Sequence, residues 1–256
     1  MNSNTGGDAD ETFTLDDVFA GIGEHLSELR KRAFYSLIAL FAGIAVSFVF
    51  ADSIMAFLSK PIGGLEMLQS IEVTENVTSV FRVLMLSGLI LSSPIILYQL
   101  LAFLLPALHD NEKKLLFTAL PVMIFLFLAG VAFAYFLILP VAIPFLTSFM
   151  GIDTAVRPAN YFSFTTNLLF WIGVVFEMPA VFYLVARLGF IRSATMLKNW
   201  RQAVVVCAIL AMIITPTVDP LNMLILMFPL ISLYFLSVLT VWFAEKRRNA
   251  SPKSPD

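Results

Sequence analysis

Charge is scarce in this sequence, and so are the residues that most often do chemistry. Only 13% of the 256 residues are charged, two are histidine and one is cysteine. A soluble globular chain carries about 25% charged residues. With 59% of the residues apolar and 13% aromatic, so few charges could not screen the apolar area from water. A soluble enzyme, a disordered chain and a nucleic-acid binder are therefore excluded, and a net charge of −2 supplies no field to attract nucleic acid. Cys207 alone excludes a disulfide framework and a cysteine metal site. His25 and His109 both fall at span edges, so neither can pair with a serine or acid at depth, as an intramembrane protease requires. No HExxH, Walker A or GxGxxG pattern occurs. The expectation is a protein that is not an enzyme and holds no metal.

What the sequence has instead is long apolar runs. A membrane span needs about 20 mostly apolar residues. Stretches free of Asp, Glu, Lys and Arg are Ala33–Ala51, Val83–Leu108, Leu115–Ile152, Gln202–Val218 and Pro220–Ala244, with Pro158–Ala186 interrupted only by Glu177. Leu115–Ile152 is too long for one straight span and barely enough for two. The distribution of Lys and Arg decides between them. If this stretch crosses once, only Lys60, Arg82 and Arg157 of the sixteen basic residues lie on one side. If it crosses twice, the split becomes six against ten. The reading is an all-α integral membrane protein with six transmembrane helices, both termini cytoplasmic. Surplus length of the third helix should project outward, where Pro140 and Pro144 break or redirect it.

Residues 1–29 carry seven acids and no base, which does not fit a cleavable signal. Residues 1–14 read as a disordered acidic tail, residues 15–244 as one membrane domain and residues 245–256 as a basic cytoplasmic tail. From Leu15, apolar positions at helical spacing (Leu15, Val18, Phe19, Ile22, Leu26, Leu29) predict a short amphipathic helix on the inner face before the first span. Short interfacial helices are expected in the outer loop over residues 52–82. Pro216-Thr-Val-Asp-Pro220 predicts a tight turn between the last two spans. The fifth span, about 17 residues or roughly 25 Å, is short and should thin the bilayer locally.

Two constellations could carry function. Glu177 is the one ionisable side chain deep within a span, in Phe176-Glu-Met-Pro179. A carboxylate there costs several kcal/mol unless paired, hydrated or protonated. It is either hydrogen-bonded to a neighbouring helix or a polar docking point, and intramembrane acids favour the second reading. Glu28 and Glu112 both fall at the cytoplasmic edge of spans. Locally, Glu28 precedes Arg32 by four residues, the spacing of a helical ion pair, and Glu112 adjoins Lys113 and Lys114. Alternatively the two carboxylates bind guanidinium groups through paired, charge-assisted hydrogen bonds.

Five segments, in order, resemble a known family. They are His25-Leu-Ser-Glu-Leu-Arg-Lys-Arg32, Ser93-Pro-Ile-Ile-Leu-Tyr-Gln-Leu-Leu-Ala-Phe-Leu-Leu-Pro-Ala-Leu108, Ala132-Phe-Ala-Tyr-Phe136, Phe176-Glu-Met-Pro179 and Ile214-Thr-Pro216 with Asp219-Pro220. Over residues 23–243 the chain resembles TatC, the multispan subunit of the twin-arginine protein translocase. The resemblance implies a cup- or glove-shaped bundle and a core receptor that binds Arg-Arg signal peptides of folded precursors. It implies single-span partners of the TatA and TatB type, self-association in a larger complex, a proton-motive-force-driven export step, a cell inner membrane location and no cofactor. By motif it implies that Glu28, Glu112, Arg30, Phe103 and Pro61 belong to signal-peptide binding. Glu177, Met212, Thr215, Pro216 and Asp219 would serve as intramembrane or partner-binding positions. Met223 and Phe235 stand where many family members have Gln and Glu. The competing reading, a secondary transporter with Glu177 carrying a proton, finds no pair of Gly/Pro-broken segments in matching halves.

Overall fold

The computed structural model describes residues 15–104, 110–147, 155–214 and 220–250. Every regular element among them is helical, with one isolated bridge between Leu68 and Val156. The first helix, α1 (Leu15–Val49), is followed by a short α2 (Ala51–Ser59) and two single 3₁₀ turns at Lys60–Ile62 and Leu65–Met67. Then come α3 (Val73–Leu104) and α4 (Asp110–Phe133), which passes through a π turn (Ala134–Ile138) into α5 (Leu139–Thr147). The chain continues through α6 (Pro158–Phe176), α7 (Met178–Arg187), α8 (Ser193–Lys198), α9 (Trp200–Ile214) and α10 (Pro220–Ala250). Five helical segments are long and apolar enough to cross a membrane, and α9 is a sixth, shorter apolar helix. The all-α membrane fold read from the sequence is the fold observed.

Several boundaries differ from the reading, each for a physical reason. The amphipathic stretch from Leu15 is helical but not separate: α1 runs unbroken for 35 residues. No proline interrupts it, and the Glu28–Arg32 pair spans the junction on one helix face. The helix α3 begins at Val73, ten residues before its uncharged stretch, because the charges in its first turns have distant partners. Arg82 Nη1 donates to Ser163 Oγ at 2.7 Å, and Arg157 closes on Glu75. The third stretch is one continuous span, Leu116–Thr147. The π turn just before Pro140 absorbs the clash its ring would make with the carbonyl four residues back, so the helix continues instead of breaking. The connection over residues 52–82 does contain short helices, α2 and the 3₁₀ turns. The helix α9 has 15 residues, about 22 Å at 1.5 Å each. The helix α10 runs six residues past the boundary set at Ala244, because Glu245 accepts from Ser193 and Arg248 donates to the Ala186 carbonyl. The acidic tail and the Pro216–Pro220 turn lie outside the described residues, apart from Pro220 at the start of α10.

Packing follows small residues. The helices α1 and α3 cross at Gly43 and Gly88, where a Cβ on Gly88 would sit 2.7 Å from the Ile44 backbone nitrogen. Close backbone approach through glycine is how helices associate where no hydrophobic drive separates them from lipid. Gly130 and Gly173 do the same for α4 and α6, whose Phe127 and Phe176 fill the facing space. Around this pair the main core gathers Phe162, Leu168, Ile172, Ala211 and Leu230. The connection between α1 and α3 is pinned to the bundle by two tyrosines. Tyr135 donates to the Phe57 carbonyl at 2.6 Å and Tyr161 to the Leu58 carbonyl at 2.7 Å.

Candidate functional site

The first candidate site forms at the end of the bundle where α1 starts, α3 ends and α4 begins. Arg32 Nε and Nη2 both lie 2.7 Å from Glu28 Oε1, and Arg32 Nη1 donates to Gln99 Oε1 at 3.1 Å. Gln99 is four residues before Phe103, so both occupy one face of α3. Through Arg32 the structure thus brings Glu28 to the stripe carrying Phe103, a half-buried side chain. The local ion pair considered for Glu28 does form, and a hydrogen bond across helices extends it. Arg30 is exposed and sits two residues from Glu28, on a different face of α1. Glu112 belongs to the first turn of α4, but its side chain lies outside the described residues, as does His109.

Pro61 does not join this group. It sits in the 3₁₀ turn after α2, at the opposite end of α1. The 21 residue steps from Glu28 to Val49 alone span roughly 32 Å of helix. The structure does not bring Pro61 together with Glu28 and Phe103. The motif match ranked it by sequence, and a helix of this length puts its two flanking segments on opposite faces of a membrane.

The second candidate site is inside the bundle. Glu177 occupies the break between α6 and α7, two residues before Pro179. It is 8% exposed, and neither carboxylate oxygen has a hydrogen-bond partner among the described residues. It lines a cavity of about 360 Å³ with Ser93 of α3, Met123 and Phe127 of α4, and Val181 of α7. The Ser93 hydroxyl is already spent on the Ile90 carbonyl. An otherwise apolar cavity with one unsatisfied carboxylate is an expensive arrangement for stability alone. Met212 is 62% exposed on α9, and α9 contributes no residue to the Glu177 cavity. The structure does not bring Met212 and Glu177 together. Thr215, Pro216 and Asp219 lie outside the described residues.

The sequence reading missed a third cluster, at the opposite end from Glu28. Arg157 Nη2 contacts Glu72 Oε1 at 2.8 Å, and its Nε donates to Glu75, a residue only 3% exposed. Donation to Glu75 first and to Glu72 next raises the Arg157 guanidinium further above its ordinary range. Gln69 N–H donates to the Val156 carbonyl at 3.0 Å beside it. No local pattern marks these residues, because their partners are 82 and 85 positions apart. Among the described residues no group of three or more His, Cys, Asp or Glu is placed to hold a metal ion.

A model of the family "Sec-independent protein translocase protein (TatC)" matches residues 24–229. The chain belongs to the TatC family. It is 36% identical to the Sec-independent protein translocase protein TatC of Carboxydothermus hydrogenoformans, over 88% of this chain and 93% of that protein. It is 35% identical to TatC of a Synechocystis species, over 86% of this chain and 87% of that one. A crystal structure titled Twin Arginine Translocase Receptor TatC superposes with a TM-score of 0.76 and 31% identity, covering 86% of this chain and 99% of that one. TatC proteins are multi-pass membrane components of a protein translocase and not enzymes. The absence of catalytic pairings noted in the sequence agrees with this family.

Proposed function

We propose that this TatC-family chain is the signal-peptide receptor of a twin-arginine translocase. In this reading Glu28 and Glu112 receive the two signal arginines, with Phe103 beside them and Arg30 at the rim. The observation that carries the reading is the network at the α1–α3 end. A carboxylate already shaped to hold one guanidinium, that of Arg32, is tied through it to the face of α3 that carries Gln99 and Phe103. Arginine suits such a site better than lysine because its fork can meet a carboxylate through two parallel hydrogen bonds.

The same reading places both termini in the cytoplasm of a cell with an inner membrane, since thirteen of sixteen basic residues then lie inside. Single-span TatA- and TatB-type proteins are the proposed partners. They would dock along Glu177, the exposed apolar face of α9 with Met212, and Thr215, Pro216 and Asp219 after it. Six helices are far too narrow to pass a folded protein, so transport needs several copies and these partners, driven by the proton-motive force and without a bound cofactor. A secondary-transporter role for Glu177 has no comparable support.

The test is export in cells whose own TatC is deleted, supplied with this chain and its partners. A folded reporter behind an Arg-Arg signal should be exported, and Glu28→Ala with Glu112→Ala should stop it. Undiminished export by the double variant would discard the site assignment.

A further inference from the structure

A groove that neither candidate site uses runs along α4, α7 and α10, with a volume of about 690 Å³. Its walls are single-face stripes: Val122 and Leu126 on α4, Ala180 on α7, Leu236 and Phe243 on α10. At one end stand Arg187, in the last turn of α7, and Arg247, one turn beyond Phe243 on α10. Tyr183, one turn before Arg187 on the same face, lines the groove below them.

Neither guanidinium is engaged among the described residues. At the other end of the bundle each basic side chain is engaged: Lys60 lies over the Phe57 ring, Arg82 donates to Ser163, and Arg157 binds two carboxylates. Next to the groove, Arg248 caps α7 by donating to the Ala186 carbonyl at 3.2 Å. Arg187 and Arg247 have no hydrogen-bond or ion-pair partner among the described residues, nor does the Tyr183 hydroxyl. No Asp or Glu lines the groove. Cationic and hydroxyl donors at the mouth of an apolar channel, at the level where helices leave the membrane, are complementary to a phosphodiester carrying acyl chains.

We infer that the groove between α4, α7 and α10 is a binding site for an anionic phospholipid, its phosphate held by Arg187 and Arg247 and an acyl chain lying against Val122, Leu126, Leu236 and Phe243. A free anion would use the mouth and leave the channel empty; a zwitterionic lipid would fill the channel but present a cation to the arginines. Assigning the lipid to the cytoplasmic leaflet rests on the orientation proposed above. The binding itself does not, and it is tested without reference to export.

The experiment is native mass spectrometry of the full chain in detergent. Dioleoyl-phosphatidylglycerol is titrated against dioleoyl-phosphatidylcholine, with inorganic phosphate as a competitor. The wild-type chain should retain the glycerol lipid preferentially and keep it in millimolar phosphate. Arg187→Gln with Arg247→Gln should lower that preference roughly thirtyfold, at about 1 kcal/mol for each basic side chain. Val122→Trp, at an exposed position on the channel wall, should weaken retention while both arginines remain. An unchanged preference in the double variant overturns the proposal. So does displacement by phosphate or indifference to Val122→Trp, either of which marks a free-anion site. A photocrosslinker at position 122 that captures a single-span protein in membranes, and no lipid, overturns it as well.

Discussion

Replacing Glu177 with leucine is expected to make the protein more stable and less able to work. The side chain is 8% exposed, and both its oxygens lack partners among the described residues. Its surroundings are Met123, Phe127, Val174 and Val181, with the nearby Ser93 hydroxyl committed to its own helix. Burying a polar group without a compensating hydrogen bond costs about 1–3 kcal/mol on the scale of protein mutational data. Leucine has a similar volume and removes that cost. Glu177→Leu should therefore raise the thermal midpoint of the purified chain by roughly 2–12 °C, at about 2–4 °C per kcal/mol. Glu177→Gln remains polar and should gain less. If Glu177 is a docking point for a partner helix, both variants should lose copurification of single-span partners, leucine more completely. A lower midpoint for Glu177→Leu would refute the reasoning, since it would mean that the carboxylate supports the fold through a partner it keeps in the membrane.

Other expectations follow from packing and charge. Gly88→Val forces a side chain against the Ile44 backbone, so α1 and α3 must separate, and overpacking of about 1–3 kcal/mol should appear as a lower thermal midpoint; Gly23→Ala, with nothing within 4 Å, should not. Arg157→Ala leaves Glu75 buried without its cation, so protease accessibility of the cap between α2 and α3 should rise, and Arg157→Lys should restore protection only in part. Pro140→Ala returns the missing N–H and should convert the π turn at Ala134–Ile138 to regular helix, read as a shift of spin-label distances across α4 and α5.

The spans were legible because their lengths and the Lys and Arg imbalance are properties of composition along the chain. The break at Glu177 was legible too, since Pro179 cannot donate and sits where the helix would need it. What could not be read depended on partners far apart in sequence. The start of α3 at Val73 requires Arg157 and Ser163 to meet charges more than eighty positions away. The continuity of α1 was hidden because its first turns are amphipathic and its later turns apolar, a change of environment along one helix that pattern alone reads as two elements. The candidate residues divide in the same way. Glu28 reaches α3 only through the Arg32–Gln99 hydrogen bond, on the face that carries Phe103, whereas Pro61 stands at the other end of α1.

The most direct test of the receptor claim is the affinity of the purified chain for a fluorescent signal peptide, followed by anisotropy. An Arg-Arg peptide should bind, a Lys-Lys peptide should bind markedly less well, and affinity should fall as salt is raised. Glu28→Gln with Glu112→Gln should remove both the preference for arginine and the salt dependence. Equal binding of the two peptides, or an arginine preference that survives in the double variant, would contradict the account.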